Sequence, residues 1–193
     1  MMLTEKQRML RGELYLANDP ELVAARLRTR VLLHRYNASS PEAVAERRVL
    51  LLELFGKLGE RFEIEPPFFC DYCWNITAGD NLYMNAGCVV LDCAAISIGA
   101  NVLIGPGVHI YAATHPTDPA IRRTGRELAA PVLIGDDVWI GGSAVLCPGV
   151  AIGDGTTIAA GSVVVRDIPA GVVAAGNPCR VIRPVAPATK PSA

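Results

Sequence analysis

This chain of 193 residues is short of several things, and each shortage excludes a class of protein. It has no apolar run of about 18 residues, the length a membrane-crossing helix needs. It has no surplus of either charge. The 18 basic and 19 acidic residues leave a net charge of -1, which favours neither a nucleic-acid nor a membrane partner. It shows no apolar leader, because MMLTEKQRMLRGEL is charged within a few residues. A cytoplasmic protein is expected.

Disulfide spacing is missing too. Cys70, Cys73, Cys88, Cys93, Cys147 and Cys179 form no framework pattern, so in a reducing compartment they are expected as thiols. Cys70-Asp71-Tyr72-Cys73 has the CxxC form of a zinc or redox site. A structural zinc site needs a second ligand pair, and neither another CxxC nor an HxxxH follows. Buried, reduced thiols and no metal are the expectation. Histidine is scarcer still, with only His34, His109 and His115.

What is present is a hydrophobic content of 51%, on a chain long enough for one domain with a sizeable core plus an appendage. The pattern divides near residue 60. Before that point it predicts three helices. The first runs from Thr4 to about Ala17 and stops at Asn18-Asp19-Pro20; the second runs from Glu21 to Tyr36. The third begins at Ser39-Ser40-Pro41-Glu42, which offers a cap, an early proline and an early acid, and continues through LLLELF to Gly59. Arg26, Arg28 and Arg30 read as solvated faces and His34 as surface. Residues 1–60 are therefore expected as a helical domain and 61–184 as a β domain, with a disordered tail over 185–193.

From Asn75 onward an aliphatic residue or Cys returns every sixth position: 76, 82 and 88, then after a four-residue slip 98, 104 and 110, then 134, 140, 146, 152, 158 and 164. Glycine follows at 99, 105, 135, 141 and 153. A period of six is neither helical nor strand-like; it is the hexapeptide repeat of a parallel β-helix. Three hexads make one triangular coil with the aliphatic residue inside, so about four coils are expected, wound left-handed. Stability in such a stack is nearly one-dimensional, and flat uncovered faces favour self-association into a trimer.

One interval breaks the rhythm. Between Ile110 and Ile134 the beats fall on Pro116, Arg122 and Leu128, and the first two do not suit a packed core. Residues from about 112 to 131 are expected to leave the prism as a loop, with His115 near its start. Histidine can take up and release a proton near neutral pH.

IYAATHPTDP, VLIGDDVWIGGSAVLCPGVAIGDG and VVAAGNPCRVI, together with TEKQRMLRGELY and LRTRVLLHRYN, resemble the maltose and galactoside O-acetyltransferases of the hexapeptide class. The resemblance covers nearly everything from Thr4 to Pro184. It implies a mainly β fold, a left-handed parallel β-helix behind a short N-terminal helical domain. It also implies transfer of an acetyl group from acetyl-CoA to a hydroxyl of a small sugar, within a homotrimer. His115 matches the general base, acting by direct attack in a ternary complex, and His109 reads as structural or supporting. Trp139 matches a groove-shaping residue and Gly142 the main-chain donor facing the thioester oxygen. Ala160, Val165 and Arg166 match positions along the pantetheine and nucleotide, and Arg180 and Arg183 match cations near the phosphates. Asp71, Asn85 and Asp92 match positions that hydrogen-bond the sugar, and Tyr83 could stack on it. Where some relatives carry acids, this chain has Ala17 and Cys93.

Other readings share the prism. Zinc carbonic anhydrases need three converging histidines, and the prism region offers only His109 and His115. A non-catalytic assembly module would need neither the loop base nor paired arginines. Antibiotic acetyltransferases share the loop histidine but usually lack the helical N-terminal domain.

Overall fold

A computed structural model of the chain describes residues 2–186. Short parallel strands wind into a three-faced β-helix. The first face stacks Phe62–Ile64, Leu82–Met84, Leu103–Ile104, Trp139–Ile140, Thr157–Ile158 and Val172–Ala175, with Arg180–Pro184 returning antiparallel at its end. The second stacks Phe69–Cys70, Val89–Leu91, His109–Tyr111, Val145–Leu146 and Val163–Val164, and the third Ile76–Ala78, Ile96–Ile98, Val132–Ile134 and Ala151–Ile152.

The core is three ladders of inward side chains. Ile64, Met84, Ile104, Ile140, Ile158 and Ala174 stack in register on the first face. Cys70, Val90, Ile110, Leu146 and Val164 do so on the second, and Ala78, Ile98, Ile134, Ile152 and Ile168 on the third. All are buried. Each coil buries its aliphatic side chains only against the coils above and below, so the core exists only as a stack.

The ladder corrects the sequence reading in its first half. The inward positions are 78, 84 and 90, where the six-residue count chose 76, 82 and 88. The five strands of the second face make five coils rather than about four, because a coil beginning at Phe62 precedes the first recognised hexad. The single four-residue slip resolves into two smaller insertions. Eight residues separate Cys70 from Ala78 and Val90 from Ile98, against six at a plain turn of the prism. Both insertions fall at the corner between the second and third faces, and both are even, which keeps the alternation of inward and outward side chains.

The long interruption leaves from that same corner. Ala113–Thr114 pairs antiparallel with Arg126–Ala129, which pairs in turn with Tyr15–Leu16, and the tip carries a single helical turn, Pro119–Arg122. Pro116 is buried at the base of this loop rather than excluded from packing.

Three helices close one end of the prism. Helix α1 (Glu5–Leu10) starts with a reciprocal capping box between Thr4 and Gln7. It ends well short of Ala17, because Gly12 takes a left-handed conformation (φ 69°) and the following residues form the Tyr15–Leu16 strand. Helix α2 (Pro20–Asn37) begins at Asp19, whose side chain accepts from the Glu21 N–H with Pro20 in the first turn. Helix α3 (Val44–Leu54) starts later than the Ser39-Ser40-Pro41 signal and stops before Gly59, since the Gly56 N–H donates to Ile76 of the prism. The helices satisfy the open edge of the first coil. Tyr36 donates to the Ile64 carbonyl, Asn37 donates to Phe68 O and accepts from Phe68 N, both at 2.9 Å, and Thr29 donates to Tyr72 O at 2.9 Å. At the other end, within the stretch expected as tail, the Val185 N–H donates to Gly171 O at 2.8 Å. Residues 187–193 lie outside the described residues.

Candidate active site

On the outward side of the first face, Tyr83, Leu103, Trp139, Thr157 and Val173 stand in register. Beside them lies a groove of about 570 Å³ lined by Trp139, Gly142, Ala160, Val173, Arg183 and Val185, among others. It gathers four residues that the resemblance placed along acetyl-CoA. Trp139 is 55% exposed, an unusual position for a large ring with no partner to cover it. Gly142 and Ala160 line the same groove, and the N–H of neither donates to a backbone or side-chain acceptor among the described residues. Two unused donors on a rigid wall are what a developing oxyanion or an amide chain would need. Val165 and Arg166 are exposed one corner further along, and Arg180 is exposed with its guanidinium on the Cys179 carbonyl at 2.7 Å. No carboxylate among the described residues pairs with Arg166, Arg180 or Arg183.

Asn85 follows the inward Met84 at the turn from the first face to the second, where the next two coils have Gly105 and Gly141. Its side chain accepts from the Ala86 N–H at 2.7 Å, leaving its amide N–H groups available. Tyr83 is half-buried on the face above Leu103.

The second assembly is the irregular corner. His115 is exposed and follows directly on the strand Ala113–Thr114. Asp71 is half-buried, its carboxyl pushed up by burial and opposed in part by the Cys93 thiol hydrogen bond (3.5 Å) and the Arg26 and Arg30 charges. Asp92 has a different occupation. It is 0% exposed, and it accepts the N–H groups of Asp71 (3.2 Å), Tyr72 (2.8 Å) and Asn75 (3.3 Å) from the coil below. Burial pushes this carboxyl up to about 6 in spite of those donors. In this arrangement Asp92 braces the widened corner and presents no surface to an acceptor.

These two assemblies stand on opposite sides of one prism. The groove lies on the first face, whereas His115 departs from the corner between the second and third faces, and no residue of 112–131 lines the groove. Within a single chain, therefore, the two assemblies do not meet.

Comparison with known proteins gives the class. Residues 8–59 match the maltose acetyltransferase hexapeptide capping motif, and residues 131–166 match the bacterial transferase hexapeptide (six repeats). Nodulation protein L of Rhizobium meliloti (strain 1021) is 47% identical over 181 residues, covering 94% of this chain and 99% of its own. The crystal structure of a maltose O-acetyltransferase from Clostridium difficile 630 superposes with a TM-score of 0.95 at 44% identity, over 96% of this chain and 99% of that one. A galactoside acetyltransferase in complex with coenzyme A gives 0.93 at 40% identity, over 96% and 92%. The chain belongs to the hexapeptide-repeat acetyltransferases.

Two packed polar residues near the loop corner of this acetyltransferase were not legible in the sequence. Arg26, read as a solvated face, is half-buried, and its guanidinium donates to the Tyr72 hydroxyl (2.6 Å) and the Ala17 carbonyl (2.5 Å). Tyr15 is fully buried and donates to Glu127 of the loop at 3.0 Å. No local pattern announces either one, because Tyr72 lies 46 residues from Arg26 and Glu127 lies 112 from Tyr15. The six cysteines are all free thiols, with all but Cys147 buried. Burial raises the Cys70 and Cys73 thiols, which makes them poor nucleophiles and poor ligands. No group of three or more His, Cys, Asp or Glu among the described residues is arranged to hold a metal ion, and no helix is long and apolar enough to cross a membrane.

Proposed function

We propose that this acetyltransferase moves the acetyl group of acetyl-CoA to a hydroxyl of a small sugar of maltose, glucose or galactoside type, with His115 as general base. The observation that carries the reading is the placement of His115. It is an exposed base delivered by the one long interruption of the repeat, on the opposite side from a groove with two unused N–H donors. His109 sits on a regular face and His34 on the surface of α2, so neither competes for the role.

In this reading the His115 imidazole takes the proton of the acceptor hydroxyl as its oxygen attacks the thioester carbonyl. The Gly142 N–H stabilises the oxyanion, a contribution of about 3 to 4 kcal/mol for donors of this kind. Collapse expels the thiolate, which regains the proton from His115, so no acyl-enzyme forms. Trp139 and Ala160 would hold the pantetheine, with Val165, Arg166, Arg180 and Arg183 toward the nucleotide. Asp71, with Asn85 and Tyr83, supplies polar and aromatic contacts suited to a molecule made of hydroxyls.

Because the halves face apart, the reading requires a closed ring of copies, in which the loop corner of each chain meets the first face of the next. Three such heterologous contacts close a trimer. The galactoside acetyltransferase neighbour, with coenzyme A bound, supports the donor. Six free thiols suit a reducing cytoplasm. The test is release of free thiol from acetyl-CoA with a panel of maltose, glucose and galactosides. Thiol release that no sugar accelerates, but an antibiotic hydroxyl does, would replace the acceptor class. No release with any acceptor would leave an assembly module.

A further inference from the structure

His115 stands on a loop that leaves the prism after Tyr111 and returns at Val132, and the chain ties that loop to its own amino terminus. Glu127 and Arg126 pair with Tyr15 and Leu16, while Ala129 and Leu128 pair with Ala113 and Thr114. Thr114 is the residue before His115. The three-stranded sheet so formed is separate from the three faces of the prism. Its fixed point is a phenol. Tyr15 is 0% exposed, its hydroxyl donates to Glu127 Oε2 at 3.0 Å, and the Cys93 thiol of the second coil lies against the same group. A second tie runs parallel to it. Glu5 Oε2 accepts the Leu16 N–H at 2.7 Å and lies 3.8 Å from the Arg126 guanidinium, which also donates to Leu14 O at 3.4 Å. Three segments distant in sequence thus meet at one buried hydroxyl, and the strand they fix, Arg126–Ala129, pairs with the strand that ends one residue before His115.

We infer that the Tyr15–Leu16 strand is a positioning element for His115, and that the Tyr15 hydroxyl on Glu127 sets where the base stands. Tyr15 touches no reacting atom; it acts through the loop. A buried phenol and a half-buried carboxylate satisfy each other, and removing one leaves the other without its partner in a dry setting. The loop strand then has lost its tether at the end that matters. The inference rests on the reading of His115 as base.

Tyr15→Phe keeps the buried ring and deletes only the hydroxyl. Displacement of a catalytic group by about 1 Å can cost roughly 100-fold, so kcat should fall by about 10- to 100-fold. The KM for acetyl-CoA should stay put, since neither Tyr15 nor Glu127 is among the residues that line the groove. Glu127→Gln retains an acceptor oxygen and should keep most of the turnover. On a His115→Ala background Tyr15→Phe should cause no further loss, because there is no base left to misplace. Glu127→Ala carries the same expectations as Tyr15→Phe if the latter fails to fold. Full kcat in Tyr15→Phe, beside an inactive His115→Ala, overturns the positioning role and leaves the base assignment standing. So does an equal fractional loss on the His115→Ala background, which would mark general damage to the fold. Full turnover in His115→Ala itself removes the base assignment and the inference with it.

Discussion

Two corners of the same prism, built from the same repeat, have been put to opposite uses. At the corner from the third face to the first, every coil turns tightly. Gly79, Gly99, Gly135 and Gly153 follow the inward residue, and aspartates brace one coil to the next: Asp80 accepts from Arg61 N at 2.8 Å, Asp136 from Ala100 N at 2.7 Å and Asp154 from Asp136 N at 2.9 Å. At the corner from the second face to the third, each of the first three coils is widened, and the brace is the buried Asp92. The plain corner carries no side chain of the proposed chemistry; the widened one carries Asp71 and His115, braced by Asp92. A repeat fold can spend irregularity only where the neighbouring coils make room for it, and here three successive coils do so at one edge.

If the widened corner is the chemical one, His115→Ala should lower kcat by about 100- to 10,000-fold while leaving folding and CoA binding intact. Steady-state thiol release with calorimetry of CoA binding checks it, and a variant retaining more than a tenth of the wild-type kcat would sink the assignment. The plain corner should behave in reverse. A Cβ on Gly99 would stand 2.6 Å from the carbonyl carbon of Gly135, so Gly99→Ala should cost about 1 to 3 kcal/mol of stability with kcat of the folded fraction unchanged. Denaturant unfolding beside activity per folded molecule separates the two effects. A smaller effect belongs to the groove. Arg180→Ala and Arg183→Ala should each raise the KM for acetyl-CoA with little change in kcat, a defect that shrinks as salt rises. Unchanged CoA affinity in the double variant would make both ordinary surface charges.

The smallest contrast is in pH. Burial raises the Asp92 carboxyl to about 6, whereas the Arg61 guanidinium and N–H hold Asp80 below the ordinary carboxylate range. An unfolded chain would ionise Asp92 near 4, so between about pH 4 and 6 the folded state holds the extra proton. The contribution of this group therefore improves as pH falls through about 6 and is complete near 4. Asp80 has the opposite sign, losing its contribution as pH falls. Unfolding free energies of wild type should gain on Asp92→Asn between pH 7 and pH 5; a constant difference across that range would contradict a perturbed carboxyl at this corner.

The second half of the ladder was legible because Ile134, Ile140, Leu146, Ile152 and Ile158 are six apart and flanked by exposed or small residues. The first half misled for a physical reason. Two of its strands are three residues long with both ends buried, Ile76 with Ala78 and Leu82 with Met84, so either end satisfies a hydrophobic count. Only pairing with the next coil decides between them. Trp139 and Gly142, expected together, do line one groove, since they stand only three positions apart in the chain. The latch between Tyr15 and Glu127 was not legible, since its partners are 112 residues apart.

The side chains that α2 turns toward the first coil have a consequence for the molecule's life in a crowded solution. A stack of parallel coils has no intrinsic end: its last carbonyls and N–H groups invite another coil, from any copy, and growth by that route is fibre formation. Tyr36, Asn37 and Thr29 occupy those groups at one end, and Arg180–Pro184 folds back over the final strand of the first face at the other. The helices are in this sense a chain terminator, and a protein whose sheets are open-ended by construction remains a discrete particle.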